Sequence, residues 1–372
     1  MARILILTAS YGSGHNVAAR SLAAAFERAG ASVRVVDHFR DLVSPTFERA
    51  TRGLYSWMLR RMPIVWGLAY GLGDRMATDS PAAFGMPRLG FTRLGRLLAR
   101  EAPDAVVTVH ATPAVAMAVL ARRGVRVPPH TTVVTDFVAH SQWIAGRVDR
   151  YCVAAEEVKH EFIARGIPPQ RIVVTGVPLR SEFEIPHDPL AARAAFGLSP
   201  RLPVVLAMAG AQGSLGRLPD VAHALARVPL PFQGVLVAGL DRRLETGLRG
   251  ITEGTTIRTL GYVADIHRLM AAADLVVTKA GGMTVAEAIA SETPLVLYGS
   301  LPGQERRNER FASRCGIALV ARSRSDLGRA LERALGDPSL LERLRRRMHR
   351  IGRPDASRRV VSAVLEREEI IP

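Results

Sequence analysis

"DLVVTKAGGMTVAEAIASETPLVLYGSLPGQERRN" runs from Asp274 to Asn308. It opens on a short apolar run rich in Val that ends at Lys279. A run of that kind reads as a strand buried on both faces. Gly281 and Gly282 then turn the chain, a helical pattern starts near Thr284, and "PLVLYGS" supplies the next strand. Strand, glycine turn, helix and parallel strand are the unit of a doubly wound α/β sheet.

The same rhythm extends in both directions. "PVVLAMAG", "GVLVAG" and "TTIRTLGY" precede this unit, and "GIALVA" follows it. Nearer the N-terminus come "RILILT", "SVRVVDH", "PDAVVTVH", "HTTVVTDF", "RYCVAA" and "RIVVTGVP". Each set makes one parallel sheet covered by helices. The expected fold class is therefore α/β, with two doubly wound Rossmann-like domains facing a cleft. The N-terminal domain takes 1–180, with an inserted segment of different character at about 40–100. The Pro-rich stretch 181–202 reads as a linker. The C-terminal domain takes 203–350, and 351–372 is a helical tail.

Composition narrows the partners. The chain has 372 residues and a formal net charge of +16, and only Lys159 and Lys279 among its 50 basic residues are lysines. Such an excess over acids implies an anionic partner. Two distant cysteines, Cys152 and Cys315, form no metal pattern and fit a reducing compartment. "MARILILTAS" goes straight into a strand and lacks a signal-peptide layout. The longest uncharged run, Ala105 to Ala121, contains His110 and Pro113 and reads as strand, loop and helix start rather than as a membrane span.

The glycine turns mark candidate ligand sites, because ligands of open α/β sheets bind beyond the carboxyl ends of the strands. The helix after Gly281 and Gly282 offers free N–H groups and a positive dipole end to a diphosphate. Glu287 on its first turn suits the two hydroxyls of a ribose; alternatively Thr284 and Glu287 form a capping box. Gln304, Glu305 and Asn308 lie beyond the next strand and suit sugar hydroxyls. The loop with Gly210, Gln212 and Gly213 belongs to the same edge, as does the Tyr262–Val263 turn, whose backbone groups suit a base. Lys279 is either a charge near the phosphates or an incidental strand-end residue.

In the N-terminal domain "LTASYGSGHNVAARSLAAAFERAG" (Leu7 to Gly30) turns on Gly12 and Gly14, and His15 stands where the helix begins, roughly at Asn16. Asp136 in "VVTDFVAH" follows a strand. His140 and Trp143 come soon after it and are expected on the acceptor side, with His110 as a further strand-end histidine. The inserted segment, Arg40 to Arg100, holds ten arginines and four acidic residues, with Tyr55, Trp57, Trp66 and Tyr70. Trp57, Arg60, Arg61 and Trp66 form a basic, aromatic and aliphatic mixture. It suits either a surface that dips into lipid headgroups or a helical insertion with the tryptophans in its core. No nucleic-acid module is present.

Taken in order, "GSGH", "TDFVAHSQWI", "VTGVPLRSEF", "KAGGMTVAEAIA" and "PGQERRN" resemble the diacylglycerol glycosyltransferases, called monogalactosyldiacylglycerol synthases in plants. That family shares the two-domain GT-B fold with the N-acetylglucosaminyltransferase of peptidoglycan precursors. The resemblance covers nearly the whole chain; its departure is Met283, at a loop position where a smaller residue is common. It implies an enzyme moving glucose or galactose from a UDP-sugar to the hydroxyl of diacylglycerol, with inversion. Glu287 would hold the ribose, Gly282 to Thr284 the diphosphate, and Gln304, Glu305 and Asn308 the sugar. Gly14 would also meet the donor. The resemblance turns the inserted segment toward an anionic membrane surface, and implies a cytoplasmic protein on the inner face of the cell membrane.

Two alternatives share the architecture: a GlcNAc transferase acting on a polyprenyl-diphosphate lipid, and a UDP-sugar epimerase. A basic binding module is the non-enzymatic one. No Asp-x-Asp motif is present, so neither a metal nor a further cofactor is expected. A helix start disfavours added positive charge, which suits His15 to act as a neutral general base. The other role for such a histidine is a cap. Asp136 would orient His15, bind the acceptor hydroxyl, or be the base itself.

Overall fold

The computed structural model describes residues 1–10, 13–75, 89–209 and 217–366. They form two compact units, the second made of Glu182–Leu301 and Glu305–Pro354 and the first of the remainder.

The first unit is built on β1 (Arg3–Thr8), β2 (Ser32–Asp37), β3 (Ala105–Thr108), β4 (His130–Val133), β5 (Arg150–Val153) and β6 (Ile172–Val174). All pairings are parallel, in the order β2-β1-β3-β4-β5-β6. Around them lie α1 (Ser13–Arg28), α2 (His38–Leu42), α3 (Pro45–Arg61), α4 (Pro63–Gly73), α5 (Phe91–Glu101), α6 (Ala111–Arg122) and α7 (Glu156–Ala164). The inserted segment supplies α2 to α5. Helix α1 starts three residues before the expected Asn16, so His15 lies inside its first turn. It stops where expected: Gly30 takes φ +79°, a value glycine adopts without strain, and Ala31 N–H closes on Phe26 O.

In the second unit, α8 (Pro189–Ala195) is followed by β7 (Val204–Met208), α9 (Leu218–Leu225), β8 (Gln233–Val237), α10 (Arg242–Thr252) and β9 (Ile257–Leu260). Next come α11 (Ile266–Ala272), β10 (Leu275–Thr278), α12 (Gly282–Ala290), β11 (Leu295–Tyr298), α13 (Gln304–Arg314), β12 (Ala318–Ala321), α14 (Arg324–Gly336) and α15 (Pro338–Ile351). The sheet order is β12-β11-β10-β7-β8-β9, again parallel. All twelve strands read from the sequence are present.

Two segments border the domains read from the sequence. The stretch read as a linker, 181–202, carries α8, and Arg193 on it ties this helix to Asp274 at 2.6 Å and to Ala272 O. The tail carries α16 (Ala356–Leu365), which joins the first unit. Its Val360, Val361 and Val364 enter the cluster formed by Ile4, Leu22, Phe26 and Val107. A valine stripe at helical spacing has to be covered, and burying each such side chain contributes roughly 1.5–3 kcal/mol. Arg150 adds a hydrogen bond to Ala363 O.

Candidate active site

The first-unit site forms where β1, β3 and β4 end. Val109 N–H donates to Leu7 O at 3.0 Å, so the chain beyond β3 runs beside the start of α1. Val109 O then lies 2.9 Å from His15 Nδ1, with Thr135 Oγ1 3.0 Å from the same nitrogen. A carbonyl only accepts, so Nδ1 carries the hydrogen and Nε2 keeps the lone pair. Burial lowers the His15 pKa, and the Asp136 charge and the Val109 bond oppose that shift. The ring is therefore neutral at neutral pH, with its basic nitrogen fixed.

Neighbours hold this state. His110 stands edge-on to His15, ring centroids 4.7 Å apart, and caps α6 by accepting from Thr112 N–H. Burial, then the nearness of His15 and His38, pushes its pKa well down. Trp143 is buried 6.1 Å from His15. Asp136 is 3% exposed. Asn16, the residue after His15, accepts from Thr8 Oγ1 at 3.0 Å and donates to Ser10 Oγ at 2.9 Å. Ser10 in turn donates to Asp37, the cap of α2. Gly14 lies half-buried in the first turn of α1, and Gly12 falls outside the described residues.

His140 is buried. Its Nδ1 accepts from Gln142 N–H, so its Nε2–H donates to Tyr70 O at 3.0 Å. Ser141 bonds Gly73 O and Asp74, and Arg165 also pairs with Asp74. The end of α4 is thereby fastened to the loop that carries Trp143 next to His15. Trp66 is half-buried, 5.0 Å from Tyr55 and 6.3 Å from Tyr70. Trp57, Arg60 and Arg61 are exposed. So are Leu54, Ile64, Val65, Leu68 and Leu72.

In the second unit α12 starts at Gly282, two residues earlier than expected. Gly281 is its cap and supplies no side-chain bond. Thr284 is therefore inside the helix, and the capping-box arrangement of Thr284 and Glu287 is not the one formed. The first N–H groups of α12, at Gly282, Met283 and Thr284, are left without a side-chain cap, and Glu287 lies half-buried one turn on.

The loop before α12 is braced from below. Asn308 is fully buried and its Nδ2 donates to Ala280 O at 3.2 Å, while Ala280 N–H donates to Ser300 Oγ. Asn308 thus sits behind the loop, as its support. Lys279 pairs with Glu305, whose other oxygen accepts from Leu301 N–H at 2.9 Å. Gln304 is half-buried and groups with the first unit. Tyr262 is 60% exposed after β9, beside the half-buried Val263. Gly210, Gln212 and Gly213 lie outside the described residues. Thr135, the Val109 carbonyl and Ser300 were not singled out in the sequence, because no motif marks a residue that acts through a neighbouring strand.

Family models match both halves of the chain. Residues 15–179 match the family model of monogalactosyldiacylglycerol (MGDG) synthase, and residues 231–335 match the glycosyltransferase family 28 C-terminal domain. The chain is 32% identical to proteins named processive diacylglycerol β-glucosyltransferase from Bacillus thuringiensis (strain Al Hakam) and Bacillus cereus (strain AH820). Each match covers all of this chain and 95% of the relative. Among solved structures, Acinetobacter baumannii MurG superimposes with a TM-score of 0.71 at 16% identity, over 99% of this chain and all of that one. UDP-GlcNAc 2-epimerase from Neisseria meningitidis gives 0.64 at 12%, over 99% and 100%. These likenesses show the GT-B fold of two parallel six-stranded sheets. By its full-length similarity to those relatives, the chain belongs to the monogalactosyldiacylglycerol synthase family of diacylglycerol glycosyltransferases.

Proposed function

We propose that the chain transfers glucose from UDP-glucose to the hydroxyl of diacylglycerol, with inversion, and that it extends the product by further transfers. The choice of glucose and of repeated transfer rests on the names of the relatives that match over the whole chain. The observation that carries the chemistry is the His15 tautomer: Nδ1–H is committed to Val109 O, so Nε2 is the proton acceptor.

In the reaction, the acceptor oxygen bonds to the anomeric carbon as the bond from that carbon to the UDP oxygen breaks. The hydroxyl proton passes to His15 Nε2, and the electron pair leaves with UDP. Asp136 offsets part of the burial cost of the resulting imidazolium, in line with its pull on the His15 pKa. The uncapped N–H groups of α12 and its dipole meet the diphosphate charge, on a loop stiffened by Asn308 and Ser300. Glu287 accepts from the ribose hydroxyls.

The acceptor is a membrane lipid, and α3 with α4 is assigned as the surface that meets the bilayer. Ile64 and Leu68 are 72% and 70% exposed, and Arg60 and Arg61 flank them. At eleven residues α4 extends about 16 Å, short of the ~30 Å hydrocarbon core, and no helix of the described residues is long and apolar enough to cross a membrane. A helix of this kind lies in the headgroup layer, its apolar side chains down and its arginines on lipid phosphates.

The test is turnover on diacylglycerol in anionic liposomes, with UDP-glucose, UDP-galactose and UDP-GlcNAc in parallel. Glucolipids carrying one and then two sugars are expected from UDP-glucose alone. A galactolipid would overturn the sugar, a single-sugar product the repeated transfer, and UDP release without glycolipid the acceptor.

A further inference from the structure

Beside the edge strand β2, helices α2 and α5 border an open groove of about 470 Å³, and its arginines are exposed. None of the residues assigned above to donor, acceptor or membrane lines it. Four guanidinium groups do: Arg34 from β2, and Arg93, Arg96 and Arg100 from α5. Their acidic counterpart in the lining is Asp41, which Arg40 and the Asp37 N–H already engage. Val35, 39% exposed, is the apolar lining side chain open to solvent, whereas Leu42 and Leu97 belong to the buried core.

The placement of these arginines costs the helix something. Arg93, Arg96 and Arg100 stand three and four residues apart on one face of α5, where like charges repel. The fold relieves them only in part. Arg34 and Arg100 share a single carboxylate oxygen of Glu101, at 2.5 and 2.9 Å. Arg93 spends one nitrogen on Val43 O at 2.6 Å, which fixes its head in place. Arg96 forms no ion pair among the described residues. Four guanidinium groups round a concave space of ligand size suit an anion.

We propose that this groove binds a phosphate group carried on an apolar body, with Arg96 as its principal charge partner and Val35 against the apolar part. Guanidinium forks match phosphate oxygens in pairs, and the exposed Val35 favours an amphiphile over a bare ion. The shared chemistry is the phosphate, and its source is either a lipid headgroup or a soluble phosphate ester. The site is independent of the transfer reaction, so its test reads binding and not turnover.

The full chain is titrated calorimetrically with monomeric octyl phosphate, inorganic phosphate, glycerol phosphate and, as an uncharged control, octyl glucoside. Octyl phosphate is expected to bind and to weaken roughly tenfold or more in Arg96→Glu, as loss of a charge-assisted contact dictates. Arg243→Glu, an exposed charge reversal on α10, is expected to leave binding unchanged. Arg96→Gln serves where the reversal impairs folding, checked by the far-ultraviolet spectrum and melting. Binding of the soluble phosphates as tightly as octyl phosphate, with the same dependence on Arg96, overturns the apolar part of the proposal and leaves a phosphate site for soluble esters. Absence of binding by all three phosphates overturns the proposal, as does equal weakening in Arg96→Glu and Arg243→Glu.

Discussion

Removing the His15 imidazole separates chemistry from binding. Nδ1 is held by Val109 O at 2.9 Å and by Thr135 Oγ1 at 3.0 Å, so the ring is clamped and Nε2 is its working atom. His15→Ala deletes the proposed proton acceptor and leaves the α12 loop, which belongs to the other unit, untouched. Loss of a positioned base lowers kcat by about 10²–10⁴, equivalent to roughly 3–5 kcal/mol of transition-state stabilisation. UDP affinity measured by calorimetry stays at the wild-type value. The pH dependence follows from the sign of the pKa shift. Burial lowers the His15 pKa from its ordinary 6.5, and only the neutral ring accepts a proton. Log kcat/KM therefore falls with unit slope on acidification, with a midpoint below pH 6.5. Asp136 raises this pKa, so Asp136→Asn moves the midpoint to still lower pH. The assay is initial-rate glycolipid formation with acceptor varied at saturating UDP-sugar, from pH 4.5 to 8. A midpoint above 6.5, or more than a tenth of wild-type kcat in His15→Ala, would refute the assignment of His15 as base.

Three further outcomes are expected. Asn308→Ala leaves the buried Ala280 carbonyl without its amide donor, a loss of about 1–2 kcal/mol. It should raise KM for the UDP-sugar roughly 5- to 30-fold, with a smaller change in kcat; an unchanged KM would remove Asn308 from the support of the loop. The double variant Ile64→Glu, Leu68→Glu puts two carboxylates on the exposed side of α4, and is expected to abolish sedimentation with anionic vesicles while UDP binding is kept. His130 is buried, and its pKa is lowered by that burial to about 3. Between pH 6.5 and about 3 the unfolded chain binds the extra proton at this position, so stability falls with acidification, by up to about 1.4 kcal/mol per pH unit. His130→Leu should flatten that fall in urea melts at pH 7 and pH 4.5, and parallel slopes would contradict it.

The strands were legible because a parallel sheet covered on both faces leaves each strand one solution, a short all-apolar run. β10 and β11 show it: every residue of both is buried. Helix starts were less legible, because glycine takes helical and turn conformations alike. Gly14 and Gly282 both proved to be helical residues where the sequence suggested turns, and the cap that looked like Thr284 is a backbone cap at Gly281. The path of α16 back to the first unit leaves no mark in its own residues, since a valine stripe announces that it must be covered without naming the partner.

Sequence also marks the groups that meet ligands better than the groups that set their state. His15 stood out as a titratable ring at a glycine turn, yet its tautomer is decided by Val109 O, 94 residues away. That carbonyl has no side-chain identity to detect. What places it is the parallel register of β1 and β3, in which Leu7 faces Thr108 and the chain continues one residue to Val109. A one-residue slip would present a different carbonyl and reverse the side chains of β3 between its two faces. The same holds in the second unit, where Asn308 reaches the loop before α12 through pairing of β10 with β11. In both units strand register carries the geometry of the proposed site, so substitutions that shift β3 against β1 should cost activity through the His15 tautomer even where every side chain assigned to the site is intact.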